Sequence, residues 1–95
     1  MKITFRKNEI DKKDEVMNNV KSLVEHVLSK LNTKIDNVDI LDYDTKIAYL
    51  AVDSDENNYN IRLWEINNKT VRYSLFELIE NYGKEIIASN IFNLA

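Results

Sequence analysis

KIAYLAV, residues 46–52, decides how the rest of the chain is read. Its apolar side chains stand on both parities, Ile47, Tyr49 and Ala51 on one and Ala48, Leu50 and Val52 on the other. A strand with one wet face alternates apolar with polar, whereas one that is apolar on both parities is covered on both faces. The stretch is therefore read as the central strand of a sheet. Carboxylates flank it, with Asp36, Asp39, Asp42 and Asp44 before it and Asp53, Asp55 and Glu56 after it.

Working outward, short β-like segments are expected at 38–43, 46–53, 59–66 and 70–74. They are separated by turn material at Asp44 and Thr45, at SDENN (54–58) and at 67–69, which gives an antiparallel meander. Residues 1–7 alternate Ile3 and Phe5 against Lys2, Thr4 and Arg6, the period of a half-buried strand. Between the first strand and the meander, Val16, Met17, Val20, Leu23, Val24, Val27, Leu28 and Leu31 recur at spacings of three and four. This is one apolar stripe of an amphipathic helix. Asp11 fits its N-cap, Asp14 and Glu15 suit the positive end of its dipole, and Asn32 and Thr33 mark its exit.

Ser74 and Glu77 match a capping box before an apolar run, which predicts a second helix starting at Leu75 with Leu75, Leu78, Ile79 and Tyr82 on its buried face. Gly83, the single glycine, falls where a left-handed C-cap would end it. Residues 84–94 then fit either a third helix, with Ile87, Ile91 and Leu94 inward, or a terminal strand. The expected fold is α+β, one domain over 1–95 in the order β-α-β-β-β-β-α. It has a mostly antiparallel sheet of four to five strands and a long helix on one face.

Composition limits the chemistry. The 95 residues include no cysteine and no proline, which excludes disulfides, thiolate nucleophiles and cysteine metal sites. No apolar run approaches the roughly 18 residues of a membrane span, so a cytoplasmic protein without a targeting signal is expected. One glycine excludes glycine-rich phosphate loops. Net charge is −3, and residues 36–56 concentrate the acidity with seven carboxylates against Lys46 alone.

His26, the only histidine, sits at the rim of the helical stripe and has no nucleophile-elbow glycines to serve. Asp53, Asp55 and Asn57 open an EF-hand spacing. Asn58 then replaces the turning glycine and Trp64 the closing glutamate, so no metal or other cofactor is expected. A helix-turn-helix over 74–94 would carry only Lys84 as a cation beside Glu85, too few charges for phosphate contacts, and direct nucleic-acid binding is not expected. Carboxylate catalysis has candidates in Asp39, Asp42 and Asp44 but no marked pocket.

The acidic window is either a solvated edge or a surface for a basic partner. In the second case Asp36, Asp39, Asp42, Asp44, Asp53, Asp55 and Glu56 supply the charge, and Tyr43, Tyr49, Tyr59 and Trp64 are candidate aromatic anchors. The expected function is a non-enzymatic protein-binding module. Its form would be a small acidic inhibitor of phage or immunity type, anti-CRISPR-like in character, that occludes a basic nucleic-acid-handling site on a larger protein. The alternative is a homodimeric accessory protein in which Ile47 and Tyr49 face a partner.

Overall fold

The strands form a single six-stranded sheet whose spatial order follows the chain. β1 (Lys2–Phe5) pairs parallel with β2 (Ile35–Tyr43), and α1 (Lys13–Leu31) makes the crossover between them. β3 (Ile47–Ser54), β4 (Asn58–Trp64), β5 (Thr70–Ile79) and β6 (Tyr82–Asn93) then add one after another, each antiparallel to the last. This computed structural model describes residues 1–31, 33–44, 47–54, 57–67 and 69–94, except for the side chain of Leu28. Asn32, Thr45, Lys46, Asp55, Glu56, Asn68 and the Leu28 side chain, all of which carry sequence expectations, lie outside the described residues.

α1 packs its stripe on one face of the sheet, called here the inner face. Val16, Val20, Leu23, Val24 and Val27 are buried against Val38, Ile40, Leu50, Ile61, Leu63, Tyr73 and Leu75. Such side chains contribute about 1.5–3 kcal/mol each when fully buried. Asp11 is not the N-cap. The helix begins at Lys13, and Val16 N donates to the carbonyl of Lys12, a residue held at a left-handed φ of 54°. Asp14 and Glu15 do occupy the first turn, and Lys30 the last, as the dipole favours. At the far end His26 is a half-buried boundary residue. Its ring stacks on Phe92 at 4.9 Å and meets Tyr73 edge-on at 6.2 Å.

Two expectations fail in the C-terminal third. No second or third helix exists among the described residues, and the sheet has six strands rather than four to five. The segment expected to end at Ser74 runs on to Ile79, and the capping box does not form. The Ser74 hydroxyl is buried and accepts a hydrogen bond from Ser89 N at 3.0 Å. Arg72 Nη1 donates to the Ser89 carbonyl and hydroxyl, at 3.0 and 3.1 Å. These contacts pin Ser89 at a left-handed φ of 52°, beside the register shifts of the β5–β6 ladder.

Alternation explains why strand wins over helix there. Val71, Tyr73 and Leu75 continue a period of two through Ser74, and all three reach the core. The helical face would instead have buried Leu78, Ile79 and Tyr82, which are 37%, 47% and 66% exposed. Gly83 caps nothing and has no left-handed φ. It is the second residue of β6, after Tyr82 and the two-residue loop Glu80–Asn81, where Glu80 holds the left-handed φ of 57°. The terminal-strand alternative for 84–94 is the one realised.

KIAYLAV is central, since β3 lies between β2 and β4, but it is covered on one face only. Ala48, Leu50 and Val52 are buried under α1, whereas Ile47 and Tyr49 are 38% and 42% exposed on the outer face. No second cover lies over the outer face among the described residues, because the residues after Ser74, where helices were one expectation, form strands.

Tyr73 is fully buried, and its hydroxyl finds no hydrogen-bond partner among the described residues. A buried unsatisfied polar group costs about 1–3 kcal/mol. Tyr73→Phe is therefore expected to leave urea-unfolding stability unchanged or raise it by up to about 1 kcal/mol, while Leu50→Ala in the same core lowers it by about 2–5 kcal/mol. A Tyr73→Phe loss of the Leu50→Ala size would show that the hydroxyl is satisfied in solution.

Candidate functional site

Because paired residues of an antiparallel sheet point to the same side, the registers place the outer-face residues in rows. The first row across β3 to β6 is Ile47, Trp64, Arg72 and Ile91, and the second is Tyr49, Arg62 and Ser74. The third is Ala51, Asn60, Phe76 and Glu85, and the fourth Asp53, Asn58, Leu78 and Gly83. Leu41 of β2 joins them at a register shift. With Tyr49, Asn60, Arg62 and Phe76 it lines a shallow groove of about 250 Å³. Ile91 is 58% exposed at the end of the first row.

Charge on this face is sparse and placed at its ends. Arg62 lies over the Trp64 ring, with its guanidinium carbon 5.4 Å from the centroid. Arg6 and Arg72 bind carboxylates, Asp39 at 3.0 Å and Glu65 at 2.8 Å, so Arg62 alone of the three arginines has no ion pair among the described residues. Asp53 and Glu85 are exposed at the opposite end, also without ion pairs there.

The acidic window does not form one free patch. Asp39 bonds Arg6 and accepts from Thr4 Oγ1 at 3.3 Å, and Asp42 meets Lys7 at 3.4 Å. The basic segment that follows β1 therefore neutralises two carboxylates of β2, through partly exposed pairs worth about 0.2–1 kcal/mol each. Asp44 shapes the β2–β3 turn, where Oδ1 accepts from Ile47 N at 2.9 Å and its own amide donates to the Ile47 carbonyl. Asp36 is exposed on β2, and Asp53 stands alone on the outer face.

The aromatic candidates divide in the same way. Tyr49 and Trp64 lie on the outer face, and Tyr59 is core. Tyr43 faces a cavity of about 460 Å³ at the start of α1, shared with Glu9, Ile10, Glu15, Asn19, Asp44 and Ile66. Phe76 and Ile91 are not among the sequence candidates because Phe76 falls in the expected second helix and Ile91 in a terminus that fits helix or strand, and Leu41 reaches the groove only through the register shift of β2. Period-two alternation through 71–76 was the signal that could have found Phe76.

No group of three or more His, Asp or Glu side chains is arranged to hold a metal ion among the described residues. No described helix is long and apolar enough to cross a membrane. No family model, curated protein or solved structure matches the chain, so the site is read from its own geometry.

Burial pushes the Tyr43 phenol above its ordinary value of 10.0; a hydrogen bond with the Asn19 side chain opposes the rise, and the charge of Glu15 adds to it. With the folded-state phenol titrating above the unfolded one, ionisation favours the unfolded chain. The stabilising contribution is present below about pH 10 and is lost as pH rises through the folded-state value. Tyr43→Phe is expected to flatten part of the stability loss above about pH 10, measured by urea unfolding at stepped pH. An identical alkaline slope in the variant would place the loss on other groups.

Proposed function

We propose that this chain is a non-enzymatic protein-binding module whose contact surface is the outer face of the sheet. The observation that carries the reading is the uncovered face itself. Ile47, Tyr49, Trp64, Phe76 and Ile91 lie side by side across β3 to β6, around Arg62, which has no ion pair among the described residues. Aromatic residues and arginine are the types that anchor interfaces, and a contiguous exposed apolar patch on a soluble domain marks an interaction site.

The form closest to the composition is a small inhibitor that covers a site on a larger protein. In that form the exposed carboxylate Asp53 steers a basic partner, and Asp39 and Asp42 add charge only by exchanging Arg6 and Lys7 for groups on the partner. The outer face then supplies the affinity and the acids supply the approach. A homodimer is the second form, favoured by the way charge is distributed on the face.

Affinity capture from lysate tests the reading when three proteins are compared. Wild type is expected to retain a partner that the double variant Ile47→Glu/Tyr49→Glu loses by about tenfold or more, because charges at an interface core are desolvated without partners. Neutralising Asp39, Asp42 and Asp44 to Asn is expected to slow association and weaken its salt dependence, with a smaller loss of retention. Retention that survives the face variant but fails in the Asn variant would move the interface to the β1–β2 side of the sheet.

A further inference from the structure

Resting on the reading of the outer face as a protein interface, we propose that its occupant is a second copy of this chain, stacked face to face about a two-fold axis. The axis sets the cationic end of one face over the acidic end of the other. The polarity of the face is what singles out a second copy. Arg62 and Arg72 lie in the first two rows, Glu85 and Asp53 in the last two, and the apolar side chains are spread over both ends. A two-fold axis lying between the sheets and across the strands reverses the order of the rows. Arg62 of each copy then faces the Asp53 and Glu85 end of the other, twice per dimer, as an isologous interface requires. None of these three groups has an ion pair within its own chain among the described residues, so the pairing breaks no described ion pair, and Arg62 would bring only its contact with the Trp64 ring to it.

Size and relief agree with this occupant. Five strands about 4.8 Å apart and four rows about 6.8 Å apart occupy roughly 600 Å² in projection, before side-chain relief raises the accessible area. A stable interface of standard size buries about 800 Å² per partner. Sheets packed face to face interdigitate at about 10 Å. The groove of about 250 Å³ between Tyr49 and Phe76 is a hollow for a protruding aliphatic side chain of the other copy, and Ile47 and Ile91 are exposed aliphatics on the same face. A protomer with one helix over six strands would in this way gain its missing second layer from its own duplicate.

Sedimentation equilibrium of the full chain over about 1–100 µM tests the proposal, because a specific dimer of ordinary affinity dissociates within or below that range. Wild type is expected at twice its 11.2 kDa chain mass. Two charge-reversed chains, Arg62→Glu alone and Asp53→Arg with Glu85→Arg, should each dissociate at least about tenfold more readily, since each opposes like charges in its own dimer. An equimolar mixture of the two should recover the dimer, because each then meets its complement at both contacts. A general folding defect would give no such recovery. Dimer loss without recovery in the mixture overturns the two-fold arrangement, and a dimer indifferent to both reversals shows that the copies meet elsewhere, the β6 edge being the first place to look. A wild-type monomer throughout overturns the second copy as occupant while leaving the capture experiment to judge the interface. Tight binding of a poly-dT oligonucleotide, abolished by Tyr49→Ala, would assign the face to single-stranded nucleic acid and overturn both readings.

Discussion

One helix can cover only one side of a sheet. α1, about 10 Å across, lies on the inner face of six strands whose combined width is roughly 25 Å. Its stripe of Val16, Val20, Leu23, Val24 and Val27 seals the middle of that face over β2 to β5. The exposure of β6, the half-burial of β1 and the open outer face follow from this mismatch of widths. Ile47 and Tyr49 are exposed because their parity points away from the only apolar cover available.

The edges of the sheet show the same limit. β6 is nearly all exposed, and its attachment depends on Ile87 and Phe92 turning inward, with Phe92 held against His26. A polar device completes the join, since Ser74, Arg72 and Ser89 satisfy one another where the ladder changes register. A buried hydroxyl that elsewhere would cap a helix here holds a bulge. The bulge bends the edge strand and interrupts its free hydrogen-bonding groups, a common way of guarding an edge.

Charge is paired within the protomer around β2 and at Arg72, while Arg62, Asp53 and Glu85 on the outer face have no ion pair among the described residues. Arg6 and Lys7 reach Asp39 and Asp42 because β1 lies parallel to β2, with Thr4 opposite Asp39 and Phe5 opposite Ile40, so the residues after Phe5 run alongside this part of β2. A window that looks strongly acidic along the chain is thus partly neutralised across strands. The groups without an ion pair among the described residues, Arg62, Asp53 and Glu85, come from three different strands and share one face only through the register of the meander.

Local periodicity was enough to determine α1, β1 as a half-buried strand, the meander from β2 to β4 and the centrality of KIAYLAV. Each of those rests on neighbours a few residues apart, and the spacing of apolar side chains reports directly on them. Turn positions were legible for the same reason, with Asp44, Ser54 and Asn67 closing the hairpins through their own side chains. The fate of Ser74 to Leu94 was decided only by the tertiary structure. Its apolar residues satisfy both periods, so whether Leu75 begins a helix or continues a strand depends on β4 offering a ladder for it to join. That choice also removed the second cover from KIAYLAV. Whether a face is buried depends on what packs over it, and the apolar pattern of a strand records only that it can be.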